Sequence, residues 1–152
     1  MPDLGFDFQT ILSEIARVLL AFALALPIGW ERRHGRRSIG FRTLPIVAMA
    51  ACGFALIIDT SSPTTNEARA RVLQGVITGI GFIGGGAIVK QGSTVKGLVT
   101  AASIWNAGAI GVAVGLGRAN IAIVLSLTNL LGLWLLSTLG VHGHEDHDGS
   151  HP

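Results

Sequence analysis

Glu14 and Arg17 stand three residues apart inside an apolar run, a spacing that puts a carboxylate and a guanidinium on one face of a helix. Hydrocarbon cannot solvate such groups, so in lipid they pair with each other or line a path for ions or protons. The pair is either the start of a site or a neutralising contact that permits insertion. Thr78, Asn106 and Asn129 form a second set, each near the middle of an apolar stretch, where they could meet at one depth beside Trp105. Hydrogen bonding between helices, worth roughly 0.6 kcal/mol per bond, accounts for them without any site, and oxygen donation to an ion is the functional alternative. A third set is His142, His144 and His147, interleaved with Glu145, Asp146 and Asp148. These can hold zinc, nickel or copper weakly, although no two-plus-two ligand spacing defines a tetrahedral centre. His34 is the only histidine outside that tail and has no nucleophile to activate, so the chain is not expected to be an enzyme or to need a cofactor.

The elements that position these residues are set by lipid. Of 152 residues, 49% are hydrophobic and only 13% charged, and the mean hydropathy of +0.58 lies far above that of an ordinary soluble domain. A bilayer core needs roughly 20 apolar residues per helix. The runs 11–30, 44–58, 72–89, 98–116 and 119–139 approach or meet that length, which predicts an all-α bundle of about five transmembrane helices. The second run is short and extends back to Ile39 if Arg42 snorkels to the headgroups. Residues 1–140 then form one membrane domain. Residues 141–152 are too polar and too rich in glycine, histidine and acid to pack, and read as a disordered tail. The single cysteine, Cys52, excludes an intrachain disulfide. Asp3 and Asp7 precede the first run without any Lys or Arg, the reverse of a cleavable leader, so the N-terminus is expected to be retained.

Orientation follows the cations. Arg32, Arg33, Arg36, Arg37 and Arg42 cluster before the second span and Lys90 and Lys96 lie before the fourth, seven against Arg69, Arg71 and Arg118 on the other side. The positive-inside rule then predicts the N-terminus outside and the C-terminus in the cytoplasm. The arginine cluster also attracts anionic lipid, and without a folded reading element it does not point to nucleic acid.

Glycine is the other abundant signal. Gly75/Gly79, Gly81/Gly85 and Gly111/Gly115 are each four apart, the spacing that lets membrane helices approach closely, within the chain or in a homo-oligomer. The triplet Gly84, Gly85, Gly86 weakens a helix and allows a break in the third span. Gly79 to Gly84 also spells the G-x-G-x-x-G pattern of dinucleotide sites, but neither the preceding strand nor the acidic residue about 20 positions on is there.

Four motifs in serial order, Gly29-Trp30-Glu31-Arg32, Gly40-Phe41-Arg42-Thr43, Gly79-Ile80-Gly81-Phe82-Ile83-Gly84-Gly85-Gly86 and Gly97-Leu98-Val99-Thr100-Ala101-Ala102-Ser103-Ile104-Trp105, resemble those of the MgtC/SapB family, over about residues 17–117. Val99, Asn106 and Gly108 depart from the family's usual residues. The resemblance implies a multi-pass protein of the bacterial inner membrane whose relatives are linked to growth in low magnesium and survival inside host cells. Some are labelled magnesium transporters, and others act by binding membrane complexes such as the F-type ATP synthase and sensor kinases. Several carry a soluble C-terminal domain that the resemblance here does not include. Carried over position by position, it singles out Arg17, Glu31, Arg32, Arg42, Arg71 and Trp105, with Thr43 as a cap and Pro45 in the first turn of the second span. Two functions follow: a regulatory protein that binds other integral membrane proteins through glycine-lined faces, or a divalent-cation transporter. Transport is the poorer fit, because Glu14 is the only acid within a span and neutral oxygens leave a double charge uncompensated.

Overall fold

A computed structural model of the chain describes residues 7–31, 40–60 and 66–138. Along them run α1 (Phe8–Glu31), α2 (Gly40–Thr60), α3 (Asn66–Gly86), the strands β1 (Val89–Gln91) and β2 (Thr94–Lys96), α4 (Leu98–Gly115) and α5 (Ala119–Thr138). The all-α bundle expected from the apolar runs is the observed architecture. Four of its helices, α1, α2, α4 and α5, are long and apolar enough to cross a bilayer. At 21 residues α3 has the length, about 31 Å, but Arg69, Arg71, Gln74 and its glycines hold its hydropathy below theirs.

Several helix ends differ from the apolar runs: α1 starts at Phe8 and α3 at Asn66, ahead of residues 11 and 72, because a helix continues through polar residues that hydropathy leaves out. The second helix starts at Gly40, close to the extension toward Ile39 and not at residue 44, so Thr43 and Pro45 lie inside it and Thr43 is not its cap. The third ends at Gly86, not Val89: Ala87 and Ile88 donate to the carbonyls of Gly84 and Gly85 at 3.0 and 3.1 Å, the three-residue closure of a helix end. The glycine triplet is therefore a last turn and not a break within the span. Beyond it the chain forms an antiparallel hairpin pairing Val89 with Lys96, Lys90 with Val95 and Gln91 with Thr94. Gly92, at φ +62°, takes the first position of the two-residue turn, where a primed hairpin turn needs positive φ.

Helix directions can be read from the contacts. Trp30 and Phe41 meet edge to face, ring centroids 5.8 Å apart, where α1 hands over to α2. Gly111 abuts Ala48, and Gly115 abuts Cys52 and Ala55, so α2 and α4 run parallel. Ile80 covers Gly108 and Gly84 faces Ala101, so α3 runs antiparallel to α4. The Ser126 hydroxyl on α5 donates to the Leu24 carbonyl of α1 at 2.7 Å. Half of α4 is buried, and it forms the middle of a core with Ala21, Ala25 and Ile28 of α1 and Leu44, Ala48 and Cys52 of α2. Because α2 and α4 are parallel, the hairpin before α4 and the start of α2 share one end of the bundle.

Candidate functional site

The opposite end is organised around the C-terminus of α4. Gly117, at φ +71°, donates to the Val114 carbonyl at 3.0 Å and Arg118 donates to Ala113 at 2.8 Å, the paired bonds of a Schellman stop. One carbonyl of this last turn, that of Gly115, accepts instead from Arg17 Nη1 of α1 at 3.3 Å. A guanidinium at a helix C-terminus satisfies an orphan acceptor and meets the negative end of the dipole. A Glu14–Arg17 ion pair, one of the two readings of that spacing, does not form among the described residues, where this guanidinium turns across the bundle to α4. Glu14 is half-buried and lines an open groove of about 400 Å³ between α1 and α2, with Ile11, Ile15, Val18, Leu19, Gly53, Leu56 and Ile57.

The second polar set is not brought together. Thr78 is exposed on α3 and donates to its own helix at Gln74, 2.8 Å away. Asn106 has its amide nitrogen buried without a hydrogen-bond partner, and Asn129 is half-buried on α5. Trp105 is 53% exposed on the outside of α4, so it does not flank Asn106 in the core. Two buried serines had not been singled out: Ser126, which ties α5 to α1, and Ser103, which donates to Val99 of its own helix at 2.9 Å. Their signal was a small hydroxyl within an apolar run, the kind of residue that bonds within and between membrane helices.

The motif glycines divide by environment. Gly29 is buried, and Gly84 packs at 3.3 Å from the Ala101 carbonyl, counted to the position a Cβ would take. Gly97, at φ +91°, starts α4 with the Ala87 carbonyl where any Cβ would lie, so only glycine fits there. By contrast Gly75, Gly79, Gly81, Gly85 and Gly86 have nothing within 4 Å of that position, and Phe82 beside them is 85% exposed. The expected close packing through Gly75/Gly79 and Gly81/Gly85 is therefore absent within the described bundle, whereas that through Gly111/Gly115 is present. Glu31, Thr43 and Thr100 are half-buried, and Arg42 is exposed. Arg71 pairs with Glu67 at 2.7 Å, both exposed, in an i,i+4 contact worth a few tenths of a kcal/mol. Arg32 and the start and tail of the chain, with His142, His144 and His147, lie outside the described residues. Among the described residues no cluster of three or more His, Cys, Asp or Glu could hold a metal ion.

The arrangement of glycine-lined contacts and serial motifs extends to known sequences: the profile of the MgtC family matches residues 18–141, nearly the whole bundle. The chain belongs to the MgtC family. Protein MgtC of Salmonella typhimurium is 38% identical over 122 residues, covering 80% of this chain and 52% of its own length. Protein MgtC of Brucella abortus is 40% identical over 111 residues, 70% of this chain and 44% of its own. An uncharacterized Synechocystis protein is 37% identical over 121 residues, 77% of this chain and 49% of its own. The chain thus spans about half the length of the curated relatives it matches. No solved structure matches it. As an MgtC-family chain with four helices suited to lipid, it is a multi-pass membrane protein.

Proposed function

We propose that this MgtC-family protein is a regulatory component of the bacterial inner membrane that binds other integral membrane complexes and serves adaptation to low magnesium or stress. The observation that carries this reading is the open surface of α3, where a Cβ on Gly75, Gly79, Gly81 or Gly85 would meet nothing within 4 Å in the described bundle. In lipid, helices associate by close backbone approach, and glycines four apart supply it. Beside this face runs a groove of about 550 Å³ between α2 and α3, lined by Ile46, Phe54, Val72, Gly75, Gly79 and Ile83 among others, of a form that suits an incoming transmembrane helix. The link to magnesium and to the inner membrane rests on the family.

Crosslinking in cells followed by co-purification tests the reading. The expected result is capture of an integral membrane partner that Gly75→Leu or Gly79→Leu abolishes. Recovery of the protein alone under several growth conditions counts against it. Magnesium uptake into proteoliposomes, lost in Glu14→Gln and Asn106→Ala, would replace it with transport.

A further inference from the structure

Glu14 sits six residues into α1, about 9 Å along the axis from Phe8, in a helix long enough to cross a bilayer. Side chains of a helix lean toward its N-terminus, so this carboxylate is directed to the membrane surface at which α1 begins. Ionised, it is only an acceptor, and an unpaired charge at the edge of hydrocarbon is costly. Among the described residues it has no ion-pair partner, and Arg17, one turn deeper, is engaged with Gly115 of α4. The groove beneath Glu14 is apolar and open, floored by Gly53 and walled by Ile15, Leu19 and Leu56, and its α1 wall runs about 12 Å from Ile11 to Leu19 along the membrane normal. At about 400 Å³ it falls within the range of small-ligand sites. An acceptor at the headgroup level above an apolar channel is complementary to an amphiphile with a cationic donor head.

From this we infer that the α1–α2 groove binds a phospholipid with a primary ammonium headgroup, the ammonium donating to Glu14 and one acyl chain lying along Gly53. A trimethylammonium head carries the same charge but no N–H donor, so the site discriminates phosphatidylethanolamine from phosphatidylcholine by charge-assisted hydrogen bonds. Discrimination resides in Glu14 and retention in the groove, which makes the two separable. Gly53 has nothing within 4 Å of a Cβ position, so a side chain has room to leave the backbone there and Gly53→Leu projects into the groove.

The full chain is reconstituted in nanodiscs with equal fractions of phosphatidylethanolamine and phosphatidylcholine of identical acyl chains, and lipid retained on release is read by native mass spectrometry. The expected result is a preference for phosphatidylethanolamine of roughly fivefold or more, from an additional charge-assisted hydrogen bond. Glu14→Gln should bring the two lipids to parity, and Gly53→Leu should abolish retention of both with an unchanged melting temperature. Parity in the unaltered protein, or a preference that survives Glu14→Gln, overturns the inference. So does a dimer without bound lipid that dissociates in Gly53→Leu, because the groove would then hold a second copy. Should Gly53→Leu fail to fold, the Glu14→Gln comparison decides by itself.

Discussion

At the scale of single residues, the glycines that share one spacing do opposite work. A side chain on Gly111 would collide with the backbone of Ala48, and one on Gly115 would come within 2.6 Å of the Cys52 carbonyl. Gly111→Leu should therefore cost several kcal/mol, as overpacking of a tight contact does, and lower the unfolding temperature in detergent sharply. Gly85→Ala, on the open face of α3, meets no neighbour and should raise stability by up to about 1 kcal/mol through helix propensity. Asn106 offers a different kind of test. Its amide nitrogen is buried and unpartnered, a state that costs about 1–3 kcal/mol, so Asn106→Ala should be neutral or stabilising in the same melt. A lower melting temperature in that variant would show that the amide has an acceptor in the membrane. None of these distinctions could be read from spacing. Gly75/Gly79 and Gly111/Gly115 are identical as patterns, and only the position of α4 between α2 and α3 decides which pair is covered. For the same reason Thr78 and Asn106 share a depth in the sequence yet face different surroundings.

At the scale of elements, α1 begins with a cap that composition did not suggest. Asp7 accepts from the Gln9 and Thr10 amides at 3.2 and 3.3 Å and from the Thr10 hydroxyl at 2.6 Å. The Thr10 hydroxyl, with the amide bonds, holds this carboxyl below its ordinary range. A depressed folded-state value means that the cap contributes fully above the ordinary Asp pKa of about 3.9 and is lost as pH falls through the folded value. Amide exchange at Gln9 and Thr10, corrected for its intrinsic pH dependence, should lose protection over that acidic window, and Asp7→Asn should remove the pH dependence. The helices themselves were legible because lipid imposes a length and a polarity on any segment that crosses it. The ends were less so. Ile88 and Val89 continue the apolar run of α3, and hydropathy cannot tell an apolar strand from the last turn of a helix. The hairpin has a faint signal in the sequence, Gly92 between two short runs with Val89 and Val95.

At the scale of the whole molecule, the parallel course of α2 and α4 brings the start of α2 and the hairpin before α4 to one end of the bundle. In a chain with Cys52→Ala, Arg33→Cys and Lys90→Cys should both react with an impermeant maleimide from the same face, and Arg118→Cys from the other. Labelling of Arg33→Cys and Lys90→Cys from opposite faces would dismantle the alternation of helices. A last consequence concerns how the bundle is made. α3 falls short of its neighbours in hydropathy and leans on α4 through Ile80 against Gly108 and Gly84 against Ala101. A ribosome that has exposed only α3 presents the insertion machinery with a segment of marginal partitioning, and the following helix has to supply the rest. Chains truncated at Lys96 and released into the membrane should leave this segment accessible to protease, and released chains truncated at Gly117 should protect it. Substitutions at Gly108 would then register first as topological errors during biogenesis and only afterwards as a change in the melting of the finished protein.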